Sequence, residues 1–275
     1  MKYSAYIPCF NNAATIRQAV ESVLRQTEPP QEIMVVDDGS ADESAAIAAQ
    51  TGARVLRQAR NFGRGAARAW AMREAQHDLV LCCDAGKSLK PDFVAKVIPW
   101  FSEPNVAGVF GRITQPPANG VIARWRGRHL FKLDQTPLVR HRAVFATTGA
   151  MARKSAVIAV GNFNPALVHT EDGELGERLL RAGHDIIYEP AAEVVCLGRD
   201  NLSRVLERYW RWYAGTGEQA SWKGYARLIV YSIKGMAAQD WQAGDPLAVP
   251  ISLLCPHYQF WRSWCRAWKK KRHGL

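Results

Sequence analysis

Three acidic stretches hold the residue types most able to do chemistry in this chain: Asp37-Asp38 ahead of Gly39-Ser40, Asp84 ahead of Ala85-Gly86-Lys87, and Glu171-Asp172. The first closes the apolar run Ile33-Met34-Val35-Val36, and Asp84 closes another at 78–83. Continuous apolar runs bounded by turn residues read as strands buried on both faces. Both sets of acids therefore sit at strand carboxyl ends, the edge where open α/β sheets bind ligands. A carboxylate there accepts from a ligand N–H or from neighbouring backbone. From the residues alone, both readings stand for Asp37 and for Asp38. Ser40 is placed to cap a following helix, with Asp42 and Glu43 in its first turn. Glu171-Asp172 precedes a helical pattern through Leu179, whose dipole favours ionised acids while burial opposes them.

Strands expected at 3–8, 33–36, 54–57 and 78–83 alternate with helices at 16–24, 45–50 and 66–76. That alternation marks a parallel sheet covered on both faces. A helix over 91–101 and a strand over 106–113 follow. The rhythm then breaks at 116–142, where Arg124, Arg126, Arg128, Lys132, Arg140 and Arg142 face the single acid Asp134. A strand is expected at 144–152, with Gly149 inside it, then a helix at 175–182 and a strand at 186–190. From Leu202 the pattern is helical and aromatic. The expected organisation is an α/β domain over 1–200 and a helical, aromatic and basic extension over 201–275.

The chain of 275 residues is 48% hydrophobic and 22% charged, a globular composition. Its net charge of +11 points to anionic partners. The six cysteines include no Cys-x-x-Cys pair, so they read as buried, reduced thiols of a cytoplasmic protein rather than a disulfide frame or zinc site. The N-terminus runs straight into a strand pattern, so no signal peptide is expected. No apolar stretch reaches the roughly 20 residues of a spanning helix. A nucleic-acid-binding groove would suit the charge and the aromatics among Arg and Lys. The basic residues, however, gather at 124–142 and 262–272, away from the sheet motifs, and no nucleic-acid motif is present.

In order and spacing, Ile7-Pro8-Cys9-Phe10-Asn11, Val35-Val36-Asp37-Asp38-Gly39-Ser40, Arg60-Asn61-Phe62-Gly63-Arg64-Gly65, Cys83-Asp84-Ala85-Gly86, Thr148-Gly149-Ala150-Met151, Glu171-Asp172 and Arg211-Trp212 resemble the inverting glycosyltransferases of family 2. The resemblance covers about residues 1–215, and its weight lies in the order of the pieces. It implies a GT-A fold: a Rossmann-like, mostly parallel sheet with helices on both faces. It implies transfer of one sugar from a nucleotide-diphosphate sugar to an acceptor hydroxyl with inversion, for cell-envelope polysaccharide or glycolipid synthesis. Asp172 would be the base, and Glu171 an orienting partner or acceptor ligand. Asp38 would meet the nucleobase beside Asp37, with Pro8 and Asn11 shaping the nucleoside wall. Asn61, with the N–H groups around Gly63 and Gly65, would face phosphate or ribose, or Asn61 would cap a helix. Gly149 would line the sugar cleft. Arg211 would contact the pyrophosphate or serve only an amphipathic helix. Arg208 stands where the family's Gln-x-x-Arg-Trp motif has Gln, which favours single addition over processive synthesis.

The acidic motif departs from the family pattern. Asp84-Ala85-Gly86-Lys87 keeps one acid of the two or three that usually bring Mg²⁺ or Mn²⁺ to the donor. The expectation is weak or absent metal dependence, with Lys87 neutralising the leaving diphosphate and Asp84 kept for ribose or for orienting Lys87. The alternative is that Lys87 is a solvated turn residue and a metal still binds through Asp84, the one candidate ligand, and the substrate. The same departure leaves open a nucleotide-sugar-binding protein that has lost catalysis. Trp261, Trp264 and Trp268 share a helical face ahead of Lys269-Lys270-Lys271-Arg272. That pattern suits a peripheral site on an anionic inner membrane face, with a lipid-linked or saccharide acceptor, or a Trp face packed on the domain.

Overall fold

The computed structural model describes residues 1–117, 120–167, 169–198, 200–213 and 221–272, except the side chains of 266–272. Its strands are β1 Tyr3–Cys9, β2 Glu32–Asp37, β3 Arg54–Arg57, β4 Leu79–Cys83, β5 Lys87–Leu89, β6 Val106–Thr114, β7 Gly149–Arg153 and β8 Asp185–Cys196. They form one sheet in the order β3-β2-β1-β4-β7-β6-β8-β5. The first four are mutually parallel. β7 runs antiparallel between β4 and β6, β6 is parallel to β8, and β5 is antiparallel on β8. The sheet is thus mostly parallel, with a reversal beside the end of β4.

The helices are α1 Ile16–Leu24, α2 Ser44–Ala49, α3 Arg64–Glu74, α4 Phe93–Val97, α5 Val121–His129, α6 Lys154–Ala159, α7 Glu171–Arg181, α8 Leu202–Tyr213, α9 Trp222–Tyr231, α10 Ala238–Gln242 and α11 Val249–Arg272. Of these, α1, α2 and α4 pack on one face of the sheet and α3, α6 and α7 on the other. Strand alternation sorts the core into two layers. Tyr3, Ala5, Ile7 and Cys9 of β1 face Ile16, Val20 and Val23 of α1 and Phe93 and Val97 of α4. Tyr6 of β1, with Met34 and Val36 of β2, faces Ala67, Ala71 and Met72 of α3 and Leu175 and Leu179 of α7. Burying each large apolar side chain contributes about 1.5–3 kcal/mol, so register is set by which side chains face which layer.

Several expectations are corrected. Ser40 caps no helix: α2 begins at Ser44, whose N–H donates to Asp42 Oδ1 at 3.0 Å, while Ser40 Oγ accepts from Asn11 N–H. The expected helix at 91–101 splits into α4 and a 3₁₀ turn, Ile98–Ser102, where Pro99 removes a donor. The strand expected from 144 begins only at Gly149, because Phe145 turns into the second core layer. Five of the six cysteines are buried, Cys265 is half-buried, and none of the six is in a disulfide.

The chain divides into two compact units, Met1–Pro116 with Thr136–Gly198, and Pro117–Gln135 with Arg199–Leu275. In the second, the basic run is tied to acids distant in sequence. Arg124 makes a two-pronged pair with Asp245, Arg126 pairs with Asp200, and Arg128 and His129 converge on the buried Asp240. These cations are spent on internal pairs rather than presented as a groove. Among the described residues, no helix is long and apolar enough to cross a membrane.

Candidate functional site

The carboxyl edge of β1, β2 and β4 brings together the N-terminal candidates. Pro8 lies on β1 opposite Val36. Asn11 is exposed, takes a positive φ of 51° that Asn tolerates, and accepts from Ala41 N–H through Oδ1. It ties the loop after β1 to the loop after β2. Asp37 is fully buried, accepts from Ser40 N–H and pairs with Arg57 at 3.3 Å. Asp38 is nearly buried and accepts from Gln58 Nε2 and from the N–H groups of Phe62 and Gly63, at 2.8–3.0 Å. Burial pushes its pKa up, against the pull of those two N–H groups. Its carboxylate thus fastens the loop that leads into α3, and three of its roughly four acceptor positions are occupied.

The Asn61 segment differs from the cap reading and from the open N–H groups expected around Gly63 and Gly65. The N-cap of α3 is Gly63, and Asn61 is exposed before it. The N–H groups of Phe62 and Gly63 go to Asp38, and that of Gly65 goes to Leu167 O. They are therefore closed to a phosphate. Gly65 is required by close packing: a Cβ there would lie 2.1 Å from Asn164 O. Gly149 is required for the same reason, since a Cβ would lie 2.3 Å from Val194 Cγ2 and 3.2 Å from Leu89 Cδ2. Core side chains fill the space on that side of it.

A residue absent from the sequence reading organises the centre. Arg68 of α3 is 2% exposed. Its Nη2 donates to Asp84 Oδ1 at 2.9 Å, its Nε to Glu171 Oε1 at 3.1 Å and its Nη1 to Cys82 Sγ at 2.7 Å. One guanidinium thus joins the acid after β4 to the acid that opens α7. Burial would raise the Asp84 pKa, but Arg68, Arg64 and Lys87 together hold it below the ordinary value. Burial raises that of Glu171 despite Arg68. Glu171 is turned inward, and the next residue, Asp172, is half-buried at the first turn of α7. Asp172 Oδ1 accepts from Gly173 N–H at 2.9 Å, and Oδ2 from Thr147 N–H and Oγ1, both at 3.3 Å. Those bonds fix the carboxylate while leaving acceptor positions free.

Residues 4–161 match glycosyl transferase family 2, which is more than half of the chain. The chain belongs to that family. Family 2 is an inverting glycosyltransferase family. The chain is 29% identical over 245 residues to the pre-mycofactocin glycosyltransferase of Mycobacterium tuberculosis, covering 86% of this chain and 51% of that one. It spans about half the length of the curated relatives it matches. Two solved structures share the GT-A fold. One is the mannosyltransferase PcManGT of Pyrobaculum calidifontis with GDP-Man and Mn²⁺, at TM-score 0.63 and 14% identity, covering 98% of this chain and 88% of that one. The other is S. aureus TarS 1-349 with UDP-GlcNAc, at TM-score 0.58 and 15% identity, covering 94% and 73%.

The acidic motif of this family 2 chain offers a divalent cation a single carboxylate, Asp84. Mg²⁺ and Mn²⁺ are bound by oxygen donors, Mg²⁺ through one or two carboxylates plus phosphates and water. Asp84 is the lone carboxylate, one of its oxygens holds Arg68, and Arg64 and Lys87 also act on it. Among the described residues, no three His, Cys, Asp or Glu side chains are grouped to hold a metal. Lys87 is not a solvated turn residue. It is buried on β5, with Nζ 3.0 Å from Cys196 Sγ. Arg211 lies on α8 of the second unit, within electrostatic reach of Tyr258.

A sequence signal for Arg68 does exist. Gly65, Arg68 and Met72 fall at i, i+3 and i+7 and share the inward face of α3. An arginine on such a face needs a carboxylate, since an unpaired buried charge is too costly.

Proposed function

We propose that the chain moves one sugar from a nucleotide-diphosphate sugar to an acceptor hydroxyl, inverting the anomeric carbon, with Asp172 as the base. The observation that carries this reading is the Arg68 bridge. It holds the end of β4 and the start of α7 in one arrangement, so that Asp172 stands oriented by Thr147 beside the family's donor edge. The Asp172 carboxylate takes the acceptor proton as the acceptor oxygen attacks. The new C–O bond forms on the face opposite the leaving group, and the bond from the anomeric carbon to the diphosphate oxygen breaks, that oxygen keeping the electron pair. Glu171 positions Arg68 rather than meeting the acceptor. Asp38 shapes the nucleoside wall by fixing the 58–63 loop, and its remaining acceptor position serves a base N–H.

Charge on the departing diphosphate is neutralised by Lys87, a cation within electrostatic reach of Asp84. Catalysis with weak or absent metal dependence follows from the donor set. The test is nucleoside diphosphate release from a panel of nucleotide sugars with excess chelator. The expected result is turnover retained in chelator, and a loss of roughly 10–100-fold in Lys87→Ala, a range below that for losing the base. Activity that vanishes with chelator and returns with Mn²⁺ would overturn the metal reading. Binding of donors without any turnover would favour a nucleotide-sugar-binding protein instead.

A further inference from the structure

Helix α9 in the second unit turns its apolar residues outward. None of its residues is buried. Trp222, Ala226 and Val230, with Ile233 just beyond, recur at i, i+4, i+8 and i+11 and form one exposed stripe, in which Trp222 is 75% exposed. A surface helix normally turns such a stripe inward. The neighbouring stripe is basic: Lys223 and Arg227, and Lys234 about two turns further, are exposed. No acid occurs from Trp222 to Gln239, and none follows Asp245. Helix α11 adds Leu253, Leu254, Trp261 and Trp264, all exposed. Trp268 and the Lys269–Arg272 side chains fall outside the described ones.

Between α9 and α11 lies a cleft of about 420 Å³ lined by Lys223, Arg227, Tyr225, Phe260 and Gln259. Gln259 is 3% exposed, and its Oε1 is buried without a hydrogen-bond partner. A buried acceptor of this kind calls for a ligand or water donor. The cleft therefore offers two cations at its rim and an unsatisfied amide oxygen in its wall, beside an apolar stripe.

We propose that the α9 side of the second unit docks on the surface of an anionic lipid bilayer, with Trp222, Val230 and Ile233 entering the acyl boundary. Lys223 and Arg227 meet the lipid phosphate, and Gln259 Oε1 accepts from a headgroup hydroxyl. Outward aromatic and aliphatic side chains, a basic flank and the absence of acids are the complement of such a surface. A nucleic acid would use the cations but would gain nothing from Val230 and Ile233. The inference stands on the second unit alone and does not depend on the catalytic reading.

The test is flotation of the full chain with vesicles of phosphatidylglycerol and phosphatidylcholine, and of phosphatidylcholine alone, at low and high salt. Two variants are compared: Trp222→Ser with Val230→Ser and Ile233→Ser, and Lys223→Gln with Arg227→Gln and Lys234→Gln. The expected result is salt-sensitive binding to the anionic vesicles only. Each lost cation weakens it roughly fivefold, and the apolar variant weakens it at least as much as the basic one. Trp222 packs on Phe260 with ring centroids 5.0 Å apart, so the apolar variant melts somewhat below the native chain, and circular dichroism at the assay temperature checks that both variants are folded. Absence of vesicle binding by the folded chain would overturn the proposal, as would vesicle binding that neither variant changes. Concentration-dependent dimerisation abolished by the apolar variant, without vesicle binding, would overturn it in favour of a second copy.

Discussion

Replacing Asp172 by Asn is expected to lower turnover by roughly 10²–10⁴-fold, the range for loss of a general base, with donor affinity nearly unchanged. The amide is nearly isosteric with the carboxylate and keeps an oxygen for Gly173 N–H or Thr147, so the first turn of α7 is preserved. It cannot accept the acceptor hydroxyl proton. Donor contacts belong to other residues, so the loss falls on turnover rather than on donor binding. Steady-state kinetics together with calorimetric titration of the donor check this. Unchanged turnover in Asp172→Asn would remove Asp172 from the mechanism.

Replacing Arg68 by Met is expected to cost about 3–5 kcal/mol of stability, the range for removing one partner of a buried ion pair. At about 2–4 °C per kcal/mol for a domain of this size, the melting temperature should fall visibly. The cost arises because Glu171 and Asp84 are left facing one another's charge in a site built to be neutralised. Its pH dependence has a defined sign. In the native chain the Asp84 pKa is depressed, so its contribution is present above the unfolded value and is lost as pH falls through the folded one. Glu171 is raised, so its contribution has the opposite sign and is lost as pH rises through its folded value. Without Arg68 the pKa values of both acids rise. The stability gap between variant and native chain should therefore be narrower near about pH 4, where both acids of the variant take up protons while Asp84 of the native chain stays ionised, and widen toward about pH 7. Melting curves across that range decide the matter, and a gap that does not change with pH would show that Arg68 contributes packing rather than charge.

What the sequence made legible were features that are local along the chain. The apolar runs ending in Asp37-Asp38 and Asp84 became β2 and β4 with their acids at the carboxyl edge. The alternation of strand and helix became a sheet covered on both faces. What stayed hidden depended on partners far apart in sequence. Arg68 and Glu171 are 103 residues apart, and nothing in the spacing of either residue names the other. The loop carrying Asn61 read as an open anion site because its N–H groups were counted without Asp38 and Leu167 O. Gly149 read as a ligand contact because Val194 and Leu89, which fill the space above it, lie on strands whose pairing sequence alone does not give. The basic run showed only Asp134 near it in sequence because the acids that pair with Arg124, Arg126 and Arg128, namely Asp245, Asp200 and Asp240, come from the far end of the chain.

The most direct test of the central claim is the anomeric configuration of the product, followed by proton NMR during turnover of an α-linked nucleotide sugar. The account predicts a β-linked product and equimolar nucleoside diphosphate, formed at a rate that falls by the stated factor in Asp172→Asn. A product that retains the α configuration, or one formed equally fast without the Asp172 carboxylate, would contradict it.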